Sequence, residues 1–197
     1  MTRRRMLGLL GGSVALVPAL WFGWAWLTFP SDRTPEGAYL RVVSAVNRGR
    51  PELFFAYIET AAQHACYSIR DYRRQARSRV LQAYPEPQRS RLAAAYEPQA
   101  TAPDGADVFA LYARERGWLD QLRRDMSGVG RVEISGERAT VETVRGTRYP
   151  LRKRDNGIWG LTLFTAVLVA EAERAARDAA MIEQAAEDYG RARRARR

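Results

Sequence analysis

The chain has 197 residues, 46% hydrophobic and 27% charged, with 32 basic residues against 22 acidic ones. That length holds one domain of ordinary size plus an appended segment, and the apolar fraction excludes a wholly disordered chain. One cysteine and one histidine exclude an internal disulfide framework and a zinc site of the usual kind, so no metal and no other cofactor is expected.

The formal charge of +10 suggests nucleic acid until it is mapped along the chain. Three basic residues stand at Arg3, Arg4 and Arg5, and five fall within 191–197, leaving 24 against 22 acids over 31–190. The body is close to neutral. Lys153 is the single lysine. The excess of arginine, with the many alanines, reads as GC-rich codon usage in a bacterium.

Met6 to Phe29 is an uncharged run, MLGLLGGSVALVPALWFGWAWLTF. As a helix it is roughly 36 Å long, enough for a hydrocarbon layer of ~30 Å. Trp21, Trp24 and Trp26 gather at its far end like an interfacial belt, and Arg3–Arg5 precede it. The positive-inside bias puts the N-terminus in the cytoplasm and the main domain in the periplasm, an inner-membrane protein with a single pass. Two other readings compete with this uncleaved anchor. Thr2-Arg3-Arg4-Arg5-Met6-Leu7 is close to a twin-arginine export signal, which would be cleaved, and the run could also be a buried core helix.

Thr34-Pro35-Glu36 has the chemistry of a helix start: a capping hydroxyl, a first-turn proline and an acid. Tyr39, Val42, Val43 and Val46 follow on one face, and Asn47-Arg48-Gly49 stops them. A second helix is expected from Pro51 to Tyr84, with a break near Tyr67. Pro85 and Pro87 end it, a short helix follows over 91–96, and 97–106 reads as a loop. Asp104 or Asp107 should cap a further helix reaching Met126.

After Gly128 the apolar period falls to two. Val132 and Ile134, then Ala139, Val141 and Thr143, then Tyr149 and Leu151, then Trp159, Leu161 and Leu163 alternate with polar residues. Gly136-Glu137, Arg145-Gly146 and Asp155-Asn156-Gly157 are short turns, so the strands must form a four-stranded antiparallel meander. Pro150 is expected at an edge or a bulge. From Thr165 to Arg194 an Ala-rich helix carries Leu168, Ala175, Ala179, Ile182, Ala186 and Tyr189 along one stripe. It is longer than one small sheet can cover, so its end should project or pair with a second copy as a homodimer. The domains expected are thus 1–30 as anchor, 31–164 as an α+β domain and 165–197 as a long helix with a basic tail.

Helices followed by a meander that curls over them, with the start Thr34-Pro35-Glu36 and the run Ala45-Val46-Asn47-Arg48-Gly49, resembles the nuclear transport factor-like, or SnoaL-like, α+β cone. The resemblance covers roughly 34–164 and is closest to membrane-anchored or secreted bacterial members. It implies a cone able to enclose a pocket. It does not imply an activity, because that scaffold serves enzymes, binding modules and dimerisation domains alike.

No catalytic constellation is found. His64 and Cys66 are two residues apart on a helix and diverge. Asp104, Asp107, Glu115 and Asp120 show no special spacing, and no phosphate-cradling glycine loop or serine elbow is present. Arg70, Arg73, Arg74 and Arg77 step along one helical face and are candidates for contact with an anionic surface. Together these features point to a non-enzymatic, membrane-anchored envelope protein whose outer domain is an interaction or assembly module. A small-molecule binder or enzyme using a cone pocket is the alternative. A nucleic-acid binder is the second alternative, disfavoured by a domain outside the cytoplasm.

Overall fold

Helix α1 (Pro35–Asn47) begins as its sequence dictates: Thr34 Oγ1 accepts from the Gly37 N–H at 3.1 Å, and Pro35 occupies the first turn. The structure, a computed structural model, describes residues 30–195. The chain divides into a leading unit, Met1–Ser31, and a folded unit, Asp32–Arg197. Every described helix and strand belongs to the second. Among the described residues no helix is long and apolar enough to cross a membrane. The apolar run with Trp21, Trp24 and Trp26 lies outside them.

Pro51–Tyr57 forms a 3₁₀ helix that buries Phe54 and Phe55, and α2 (Thr60–Ala83) follows it. The expected break near Tyr67 is absent, and α2 runs straight through that position. The interruption falls instead at Ile58 and Glu59, for a tertiary reason. Ile58 bridges Leu161 of the sheet in parallel fashion, and the Glu59 N–H donates to the Leu161 carbonyl at 2.9 Å. Two residues of this segment are thus drawn out as a scrap of strand.

Helix α3 (Gln88–Ala100) is longer than the expected 91–96 and takes up part of the expected loop. Pro98 lies inside its last turn, where the Glu97 carbonyl accepts from both the N–H and the hydroxyl of Thr101. Helix α4 (Gly105–Glu115) is capped by Asp104, and Asp107 answers from the third position in a capping box. The single helix expected to reach Met126 divides, because Gly117 takes φ +65° before α5 (Trp118–Asp125).

Strands β1 (Val129–Ser135), β2 (Arg138–Thr143), β3 (Arg148–Lys153) and β4 (Trp159–Leu161) form the antiparallel meander in the order β1-β2-β3-β4. The alternation read from the sequence sets the inward face. Val141 pairs with Tyr149, Ala139 with Leu151 and Leu151 with Leu161, all buried. Pro150 corrects one expectation, since it lies in an interior strand opposite Thr140. Its carbonyl accepts from the Thr162 N–H on the β4 side, just where β4 has ended. Its missing donor therefore faces no ladder partner. Leu163 is exposed beyond β4, whereas Phe164 turns into the core.

Helix α6 (Thr165–Ala195) has 31 residues and spans roughly 46 Å by helical rise. It lies parallel to α2. The register is visible in its contacts: Thr165 with Glu59, Asp178 with Arg73, Glu183 with Arg79. The parallel bridge between Ile58 and Leu161 explains this, because both segments leave the sheet in one direction and each starts a helix within a few residues.

Two cores result. The larger lies between the sheet and α1, α4, α5 and the first halves of α2 and α6, with Tyr39, Phe54, Phe109, Leu161 and Leu168 essentially inaccessible. The smaller joins Ala76, Val80 and Tyr84 of the α2 end to Ala93 of α3 and to Ala179, Ile182 and Ala186 of α6. Burying Val80 and Ile182 contributes about 1.5–3 kcal/mol each. This second core makes a three-helix arm reaching past the sheet. The α6 stripe expected to seek another chain is covered by α2 and α3 of the same one.

Candidate functional site

The arginine row on α2 does share one face, and that face is turned largely inward. Arg70 donates to the Pro103 carbonyl at 3.2 Å and to Asp71 at 3.0 Å. Arg74 reaches the Ala100 carbonyl at 3.3 Å, and Arg77 pairs with Glu97 at 3.2 Å. All three grip the C-terminal end of α3 and the turn after it, where free carbonyls and the helix dipole favour cations. Arg73 is buried. It pairs with Asp178 at 2.6 Å, and its guanidinium lies 4.9 Å from the centre of the Tyr96 ring. The row thus clamps α3 and α6 onto α2.

A second polar cluster closes the opposite end of the same helices. Glu59 is buried beside the N-termini of both α2 and α6. Its carboxylate accepts from the Thr165 hydroxyl at 2.7 Å and from Arg152 at 3.0 Å. A carboxylate there meets the positive ends of two parallel helices. Arg154 adds bonds to Ala56, Thr60 and Gln63, and burial lowers its pKa.

The interior offers filled volume in place of a reactive centre. Phe109 packs edge-on against Phe54 at 5.1 Å and against Phe164 at 5.5 Å, and Trp118 lies 4.6 Å from Phe164. Tyr39 lies 5.3 Å from Tyr149, and its hydroxyl donates to the Ser127 carbonyl at 2.8 Å. Burial raises the pKa of both tyrosines, holding them neutral. Cys66 is fully buried and its thiol is pushed up to about 12 by burial, while His64 faces solvent. Asp104 and Asp107 are consumed by the α4 cap, and Asp120 pairs with Arg123 at 3.2 Å. Among the described residues no three His, Cys, Asp or Glu side chains gather as metal ligands.

The arm tip is the place that sequence reasoning missed. Parallel packing brings Arg79, Gln82 and Ala83 of α2 beside Glu187, Gly190, Arg191, Arg193 and Arg194 of α6, with a cleft between them. Both basic segments are plain in the sequence, but more than 100 residues separate them. Only the two-residue strand at Ile58–Glu59 sets them side by side, and so short a strand leaves no periodic signal.

Compared with known proteins, the chain matches no family model, no curated protein and no solved structure.

Proposed function

We propose that this is a single-pass, membrane-anchored protein of a bacterial envelope, whose periplasmic α+β domain acts without catalysis as an interaction or assembly module. The observation that carries the reading is the arm. Helices α2 and α6 continue past the sheet and build a second core with α3, which the sheet domain does not need to cover its own apolar face. A rigid extension with its own core presents a surface at a distance from the body. The uncharged run from Met6 to Phe29 behind Arg3–Arg5 supports the anchor. The order of helices then meander supports grouping the domain with the nuclear transport factor-like cones. The cone-pocket alternative draws less support, because Tyr39, Tyr149, Leu151 and Trp159 occupy the space beneath the sheet.

The test has two readings. A phosphatase active only outside the cytoplasm, fused after Arg197, should be active, and the fusion should sediment with carbonate-washed membranes. A fusion active only as a cytoplasmic reporter overturns the topology. A photo-crosslinking residue in place of Met181, exposed on the arm, should give discrete adducts in cells. Adducts no more frequent than from Val144 on the sheet side overturn the role of the arm.

A further inference from the structure

The cleft at the arm tip encloses about 390 Å³, and Arg79, Arg191, Arg193 and Arg194 line it against one lining carboxylate, Glu187. Part of that charge has an internal account. Two parallel helices bring the negative ends of both macrodipoles to the tip, where cations are stabilising. Arg193 donates to the Ala83 carbonyl at 3.1 Å and so closes the end of α2.

The remaining arginines are arranged for carboxylates. Arg79 holds Glu183 at 2.8 Å, and Arg191 pairs with Glu187 and Asp188. The Arg79 Nε is buried without a hydrogen-bond partner, and Arg194 has no ion pair among the described residues. Donor capacity is therefore left over on both walls. The volume exceeds what one phosphate group fills.

Position selects between occupants. The chain enters the folded unit beside Trp159, whose N–H groups donate to the Asp32 and Arg33 carbonyls at 3.4 and 3.1 Å. Helix α6 starts six residues later, and Arg194 lies roughly 44 Å along it from Thr165. A bilayer holding the preceding residues meets the entry end, and the cleft stands off from it.

We propose that this cleft binds an acidic segment of a partner protein, its carboxylates entering between Arg79 on α2 and Arg191 and Arg194 on α6. The choice of a protein over a lipid rests on the membrane-anchored reading, whereas the carboxylate chemistry does not. The probe is a fluorescent hexaglutamate peptide, added to the full chain in neutral detergent and followed by anisotropy. Arg79→Gln should weaken binding about tenfold. So should Gln82→Glu, which sets an acid in the cleft and keeps every arginine. Arg124→Gln, on α5, should change nothing. If Arg79→Gln loosens the arm in a thermal melt, Gln82→Glu carries the test alone.

Binding that ignores both cleft variants belongs to a basic tail and overturns the proposal. Capture of phosphatidylglycerol vesicles with no binding of the peptide overturns it in favour of a membrane. Equal competition by millimolar inorganic phosphate reduces the cleft to a free-anion site and also overturns it. Because binding is read in detergent, a cytoplasmic C-terminus would sink the envelope reading and leave this result standing.

Discussion

Arg73 donates to Asp178 at 2.6 Å across two parallel helices, at the level where the larger core ends with Ile69 and the smaller begins with Ala76. The guanidinium also faces the Tyr96 ring of α3, so one side chain joins three helices. Replacing it alone strands Asp178 and removes the ring contact. Arg73→Ala should cost about 2–4 kcal/mol in denaturant unfolding. The pair Arg73→Met with Asp178→Leu should recover most of that, since apolar volume tolerates this position. A double variant no more stable than the single one would show that the ion pair is not the seat of the effect.

The elements that local chemistry specifies were legible in the sequence. Thr34-Pro35 starts α1, Asp104 and Asp107 box α4, and the alternation from Val132 to Leu161 gives the sheet and its inward face. What the sequence concealed depends on distant partners. Ile58 has a helical neighbourhood and becomes extended only because Leu161 bridges it. The arginine row has the spacing of a solvated face, and its partners Glu97, Ala100 and Asp178 arrive from α3 and α6. The arm tip unites residues 79–83 with 186–194 through the same crossing.

Gly160 makes that crossing possible. A Cβ at this position would lie 2.6 Å from the Ile58 carbonyl oxygen and 2.9 Å from the Glu59 nitrogen, both backbone atoms that cannot step aside alone. Gly160→Ala must therefore push Ile58–Glu59 off β4 and disturb the launch of α2. A loss of about 2 kcal/mol or more is expected, within the range of overpacked sites. Amide exchange at Glu59 should accelerate along with the fall in melting temperature. A variant that melts like the parent would mean the bridge is dispensable.

Glu59 should be the most sensitive carboxylate in the domain. It is buried, it accepts from Thr165 and Arg152, and it faces two helix N-termini. Glu59→Gln keeps the shape and removes the charge, and should cost about 1–2 kcal/mol. Glu59→Ala should cost more, because Arg152 and the Thr165 hydroxyl then lose their acceptor. The exposed Glu173, paired with Arg177 at 3.9 Å, is the internal control, and Glu173→Gln should change stability by a few tenths of a kcal/mol at most. Equal losses at the two positions would remove the special place of Glu59.

Alkaline pH should loosen the larger core before anything else. Burial pushes the Cys66 thiol up to about 12 and the Tyr112 phenol likewise to about 12, with Glu171 as a second cause at Tyr112. Both groups titrate near their ordinary values of about 8.5 and 10 once the chain is unfolded. Above those values the unfolded chain has released protons that the folded one retains, so folding stability must fall. The contribution is whole below pH ~8.5 and is lost as the pH climbs toward the folded values near 12. Each group steepens the decline by about 1.4 kcal/mol per pH unit while it is ionised only in the unfolded chain. Cys66→Ala removes one titrating group and should flatten the fall in melting temperature between about pH 8.5 and 10, leaving the steeper tyrosine-driven part above it. The same burial predicts that Cys66 reacts with an aromatic disulfide reagent only on the timescale of unfolding, and at once in denaturant. Rapid labelling of the native protein at pH 8 would place the thiol at the surface and undo both expectations.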